Sequence, residues 1–168
     1  MQEISIAPLT KAAFARYGDV VEADGAEKIS INQGFAVRVN RLARVDVASS
    51  GGEVNISLFT AKARPLPTAI AMMERHPLGS QLFYPLQDAS WLVVVCVDPH
   101  DIASFRAFEA TGRQGVNYAR NVWHHPLLVR SDNERFLVVD RSGPGNNLEE
   151  FWLDEPHVLQ FAPQSSIA

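Results

Sequence analysis

The amino-acid sequence predicts an all-β domain, a sandwich, jelly roll or barrel, with a few short helices. Three observations carry that expectation. Short apolar or alternating runs recur along the whole chain. Turn-forming residues separate them at regular intervals. Only the stretch after Thr10 reads as a helix with both a start and a stop signal.

Thr10 can cap a helix over Lys11 to Tyr17, and Gly18 can end it. Phe35 to Val39 alternates, with Phe35, Val37 and Val39 on one face. Ile56 to Phe59, Gln81 to Leu86, Trp91 to Val97, Ser104 to Phe108, Leu127 to Val129, Phe136 to Val139 and Val158 to Phe161 are the further strands expected. Turns fall at Asp24-Gly25, Ser50-Gly51-Gly52, Asp98-Pro99, Thr111-Gly112 and Ser142-Gly143-Pro144-Gly145. Pro65 to His76 has two readings. Its alanines, methionines and Glu74 favour helix by propensity. As a strand it sets Ile70, Met72, Glu74 and His76 on one face. Pro65, Pro67 and Pro77 bracket the run tightly, and a strand is expected.

At 168 residues, one domain over positions 1–168 can bury a real core. Apolar content of 46% and charged content of 20% are those of an ordinary globular chain. A net charge of −4 argues against nucleic acid as a partner. No apolar run approaches the ~20 residues of a membrane helix, and the N-terminus has no signal-peptide pattern. Cys96 is the single cysteine, so no internal disulfide is possible, and it lies in an apolar run that suits a core position. The cytoplasm is the expected location. Arginine supplies 12 of the 15 basic residues, which suits a small anionic substrate or reflects an arginine-preferring proteome.

Two segments concentrate the chemistry. One is Glu74-Arg75-His76-Pro77-Leu78-Gly79-Ser80-Gln81. The other runs from Gly115-Val116-Asn117-Tyr118 to Asn121-Val122-Trp123-His124-His125-Pro126. On a strand, Glu74 and His76 point the same way, and a hairpin through Pro77-Leu78-Gly79 can return Gln81 beside them. His124 and His125 are adjacent, so only one can face the same interior. A carboxylate, imidazoles and an amide can bind a divalent metal or do acid–base work. The frame also has cupin spacing. The usual first cupin motif runs His-x-His, then Glu, with a late histidine. Here Glu74-x-His76 precedes Gln81, and His124 is the late histidine. Two ligands of that frame are exchanged, His for Glu and Glu for Gln.

The two segments closely resemble the signatures of the ureidoglycolate lyase family, long known as ureidoglycolate hydrolases. Tyr17-Gly18-Asp19-Val20-Val21-Glu22, Ile31-Asn32-Gln33-Gly34, Leu66-Pro67 and Val139-Asp140-Arg141 extend the resemblance over nearly the whole chain. It implies a homodimeric, cupin-type β-barrel enzyme of allantoin breakdown. Such an enzyme splits (S)-ureidoglycolate into glyoxylate and urea, with nickel or another divalent metal. The metal ligands it implies are Glu74, His76, Gln81 and His124. Cleavage needs a base for the substrate hydroxyl, a donor at the departing urea nitrogen and positive charge at the carboxylate. His124 or Glu74 suits the base and His76 a ligand or acid. Gln81, Asn117 and Tyr118 suit hydrogen bonds to the ureido and carboxylate groups.

Blander roles fit the neighbours. His125 suits a structural position, Trp123 the core, and Arg75 the surface or a dimer contact. Asp140-Arg141 suits either an ion pair or a site role. Ser142 to Gly145 is a turn without the helix and lysine of a phosphate loop. Arg38, Arg41 and Arg44 suit a solvated strand edge. Two other functions remain compatible with the residues: a non-catalytic cupin that binds a small carboxylate, and an amidohydrolase that releases ammonia and CO₂ from ureidoglycolate.

Overall fold

A computed structural model describes residues 2–161. Fourteen strands dominate it. They are β1 (Glu3–Pro8), β2 (Gly18–Val21), β3 (Glu27–Ile31), β4 (Ala36–Asn40), β5 (Glu53–Ala61), β6 (Ala69–Arg75), β7 (Gln81–Pro85) and β8 (Trp91–Cys96). The series continues with β9 (Arg106–Ala110), β10 (Gly115–Tyr118), β11 (Trp123–His124), β12 (Leu128–Val129), β13 (Glu134–Ser142) and β14 (Glu149–Phe161). The α-helix, α1, is shorter than expected, Lys11–Phe14. Its start is as read: Thr10 caps it, the hydroxyl accepting from Ala13 N–H at 3.1 Å.

The strands form a β-barrel of two facing sheets. One sheet has the order β2-β10-β7-β13-β5. The other runs β11-β6-β14-β1-β9-β8-β12, and β11 also pairs with β8. This second sheet therefore turns back on itself. His124 of β11 stands opposite both Glu74 of β6 and Val95 of β8. Strand β1 lies parallel to both β9 and β14. β3 and β4 make a separate two-stranded ribbon.

The expected hairpin after His76 does not form. β6 and β7 belong to different sheets. Pro77 to Ser80 carries the chain across the barrel, and Gln81 faces Glu74 and His76 from the opposite wall. Gly79 is required at the crossing: a Cβ there would lie 2.8 Å from Arg141 Cβ. Ser80 ties this turn to residue 46 twice, its N–H donating to Asp46 O and its Oγ accepting from Asp46 N–H, both at 2.8 Å.

Strand β8 is the spine, buried on both faces along its length. Trp91, Val93 and Val95 join the core between the sheets, with Phe14, Phe83, Val116, Phe136 and Val138. Leu92, Val94 and Cys96 join a second core with Ile4, Ile6, Ile70, Met73 and Leu159, lined by the curled sheet. Burial pushes the Cys96 thiol up to about 12, so it is an inert core residue. Trp91 meets Phe136 edge-on at 4.9 Å.

His125 follows the end of β11 and is 2% exposed. Its N–H donates to Val94 O at 2.9 Å, and its Nδ1 donates to Pro126 O at 2.7 Å. Burial holds its imidazole down at about 4, helped by the nearby Arg64 charge against the pull of Pro126 O. The unfolded chain takes up a proton at His125 near pH 6.5, which the folded protein resists until about pH 4. Stability should therefore fall as pH drops through that window, by roughly 3 kcal/mol from this group. A His125→Gln variant should show a correspondingly flatter acid limb. Urea unfolding of both proteins from pH 7 to 4 checks this, and identical slopes would exclude the assignment.

Candidate active site

The site is built by two rows of side chains that face each other near one end of the barrel. The first row crosses the five-stranded sheet. Tyr118 of β10 pairs with Gln81 of β7, and Asp140 of β13 pairs with Asn55 of β5. The second row belongs to the curled sheet, where His124 pairs with Glu74. His76 follows β6 and reaches between the rows.

His124 is fixed from three sides. Its side chain is 2% exposed. Its Nδ1 donates to Val122 O at 3.0 Å, which leaves the Nε2 lone pair facing inward. Tyr118 lies flat on the ring, with centroids 4.1 Å apart and planes 11° apart. Nε2 is buried without a hydrogen-bond partner, and Glu74 Oε1 stands 3.5 Å away. His76 is fixed in the same manner, with Nδ1 donating to Asn147 O at 2.7 Å. Its Nε2 lies 3.0 Å from Gln81 Oε1 and 3.9 Å from Glu74 Oε1. The two imidazole centroids are 5.2 Å apart.

Electrostatics separate the roles. Burial works to raise the Glu74 carboxyl, but contact with His124 and then the histidine charges outweigh it and leave it below the usual carboxylate value. Tyr118 is pushed the other way. Complete burial, and then the Glu74 charge, raise its phenol well above the ordinary value, so it remains an O–H donor. An anion and a neutral donor thus sit side by side.

The same geometry fits a metal. One ligand atom from each of Glu74, His76 and His124 lies within 4.8 Å of the others. Both imidazoles spend their Nδ1 protons on backbone carbonyls, the outer-shell arrangement that orients metal-binding histidines. Glu74 Oε1, Gln81 Oε1 and the two Nε2 atoms can each offer an electron pair, and His124 Nε2 is buried with no hydrogen-bond partner. Two imidazoles, a carboxylate and an amide oxygen make a set that can hold a divalent cation.

The structure thus brings together Glu74, His76, Gln81, Tyr118 and His124. It does not bring Asn117 to them. Asn117 and Tyr118 are neighbours on β10 and face opposite sides. Asn117 Nδ2 instead donates to Asp19 Oδ2 at 3.1 Å and Arg44 O at 2.9 Å. His125 also stays out of the group of ligand atoms. Arg75 points outward, bonded to Glu149 at 2.5 Å and stacked 4.5 Å over Trp123. Arg141 makes no ion pair with Asp140 among the described contacts. Its guanidinium donates to the carbonyls of Ser49, Ser50 and Pro144. Asp140 faces the site and is reached by Gln81 Nε2 at 3.2 Å and Asn55 Nδ2 at 3.0 Å. Sequence reasoning left Asp140 between two roles and did not single out Asn55 or Asn147. Asn147 acts on His76 through its backbone carbonyl, for which no side-chain pattern exists.

The family model for ureidoglycolate lyase matches residues 1–160. "Ureidoglycolate lyase 1" of Rhizobium meliloti (strain 1021) is 55% identical over 157 residues, covering 93% of this chain and 92% of that protein. "Ureidoglycolate lyase" of Burkholderia mallei (strain NCTC 10229) is 50% identical over 166 residues, covering 95% and 98%. The Pseudomonas syringae pv. tomato protein of that name is 48% identical, covering 97% of each chain. Among solved structures, a dTDP sugar isomerase from Desulfovibrio desulfuricans G20 is similar at 17% identity and TM-score 0.44, covering 82% of this chain and 85% of that one. A family model and relatives that span nearly the full length, together with both signature segments meeting at one site, show that the chain belongs to the ureidoglycolate lyase family.

Proposed function

We propose that this protein is a ureidoglycolate lyase of allantoin breakdown, cleaving (S)-ureidoglycolate into glyoxylate and urea at the Glu74–His76–Gln81–His124 cluster. Full-length similarity to ureidoglycolate lyases supports the reaction. The observation that supports the place is the buried, unpartnered His124 Nε2 beside an anionic Glu74.

The substrate carries a hydroxyl and a ureido nitrogen on one carbon, next to a carboxylate. Glu74 turns Oε1 toward both histidines. Its other oxygen is left to take the hydroxyl proton. The electrons of that O–H bond form the aldehyde carbonyl as the carbon–nitrogen bond breaks. The departing nitrogen takes up the proton that Glu74 removed, so Glu74 is returned as a carboxylate and no water is consumed. Tyr118 holds the O–H that donates to substrate oxygen or nitrogen, and its face keeps His124 dry and in register. Placed acid–base groups of this kind contribute roughly 10²–10⁴-fold. A divalent metal ion, nickel in keeping with the family resemblance, would be held by Glu74, His76, Gln81 and His124 and would supply positive charge for the substrate's oxygens.

A homodimer belongs to this proposal. β5 is the edge strand of its sheet, and Val54, Ile56 and Leu58 project outward from it at 56%, 67% and 67% exposure. A long apolar edge strand needs cover in a soluble protein.

Three outcomes are expected. Purified protein given ureidoglycolate should release urea and glyoxylate in equal amounts with no free ammonia. Ammonia as the main nitrogen product would replace the lyase with an amidohydrolase, and binding without turnover would leave a carboxylate-binding cupin. His124→Ala should lower turnover at least ~10²-fold while its melting curve stays that of a folded protein. His125→Gln should retain most activity, and the reverse pattern would move the site to His125. Light scattering should give twice the mass of a single 18.6 kDa chain, and Ile56→Asp should halve it.

A further inference from the structure

Gln81 is an amide at a position where a carboxylate would bind a cation without help. A carboxylate presents oxygen whichever way it turns. An amide presents oxygen on one arm and an N–H donor on the other, so its usefulness depends on which way it is held. The site contains the group that holds it. Asp140 Oδ2 lies 3.2 Å from Gln81 Nε2 on one side, and Asn55 Nδ2 reaches Asp140 Oδ1 at 3.0 Å on the other. A carboxylate accepts and cannot donate, so only the N–H arm of Gln81 can face it. Oε1 is thereby turned to His76 Nε2, 3.0 Å away. His76 Nδ1 gives its proton to Asn147 O, so a neutral ring carries its lone pair on Nε2. Two electron-pair donors then face each other at hydrogen-bonding distance. Only added positive charge, a second proton or a metal ion, satisfies that contact.

The alternative is cheaper for the isolated site. With the amide reversed, its N–H would donate to His76 Nε2, and both atoms would be spent on each other. The contact would close, leaving two fewer electron pairs for a cation. Asp140 blocks that arrangement, because reversal would set Gln81 Oε1 against a carboxylate oxygen.

We propose that Asp140 is a positioning residue: its carboxylate fixes the Gln81 amide with oxygen toward His76, and so keeps the cluster open to a cation instead of closing it by an internal hydrogen bond. The inference rests on the proposed metal-binding reading of the site and extends it to a residue outside the ligand group. Asn55 steadies the carboxylate from its far side.

The test uses metal-free full-length protein and Ni²⁺ alone, with no substrate, followed by titration calorimetry. Asp140→Asn offers either an oxygen or an N–H to Gln81 and releases the constraint. It should weaken Ni²⁺ binding by roughly 10–100-fold, as loss of an orienting partner typically does. In a Gln81→Glu background the same change should cost under about 3-fold or improve binding, because a carboxylate at 81 needs no orienting and is relieved of a like charge. Equal losses in both backgrounds would overturn the proposal and make Asp140 a general charge or fold contribution. No loss in the Gln81 background would overturn it as well. A second readout separates the orientation from the metal. Long-range ¹H–¹⁵N spectra of the metal-free protein report whether His76 Nε2 accepts a hydrogen bond. Asp140→Asn should move that signal toward the hydrogen-bonded position, with the melting temperature showing a folded protein. An unmoved signal overturns the amide orientation. A moved signal in a protein that takes up no Ni²⁺ would overturn the metal reading and leave the orientation standing.

Discussion

The architecture turns on one cross-strand pair. His124 stands opposite Glu74 on one side and Val95 on the other. Through that two-residue strand the seven-stranded sheet closes on itself. The pair is thus a seam in the fold and the centre of the site at once. A strand of two residues has little ladder hydrogen bonding to hold it. Its position is secured by what surrounds it: His125 N–H on Val94 O, the Tyr118 ring stacked on His124, and Arg75 over Trp123. Precision at the site is inherited from the completely buried β8, against which β11 is registered.

The two walls of the barrel contribute different chemistry. The curled sheet brings the anion and a lone pair, Glu74 and His124. The five-stranded sheet brings the neutral donor Tyr118 and the oriented amide Gln81. The proposed site takes side chains from both walls. The Pro77–Ser80 crossing is what joins them, and its fixed shape explains why Gly79 and Ser80 sit there: one allows Arg141 to pass close, the other is tied twice to Asp46. His76 follows β6 before this crossing, so its backbone is held between two sheets instead of swinging on a loop.

Much of this was legible from residues alone, and the reasons are physical. The Trp91 to Val97 run reads as a strand, and β8 takes all of it but Val97. Thr10 announces a helix start because a hydroxyl must satisfy an orphan N–H. The prolines around Ala69–Arg75 override the helical propensity of its methionines and alanines. Other features were hidden because their partners are distant. Ile4 and Ile6 alternate on β1, but their neighbours come from β9 and β14, and no hairpin signals them. Asp140 meets Gln81 from 59 positions away. Strand alternation separates Asn117 from Tyr118, and the sequence does not say which of the two faces inward. The apolar row of β10 decides it, since Val116 belongs to the inner core with Tyr118.

The parallel pairing of β1 has a consequence for how the protein is made. Synthesis runs from the N-terminus to the C-terminus, so β1 is made well before both its partners: β9 begins at Arg106, and β14 ends at Phe161. Through most of synthesis this strand has nowhere to go, and its two edges stay open to other chains. The curled sheet that holds Glu74 cannot finish until β14 takes its place between β6 and β1. The wall that carries Glu74 is thus framed only after β14 has been made, and chains that stop short of it expose an unpaired β1 edge.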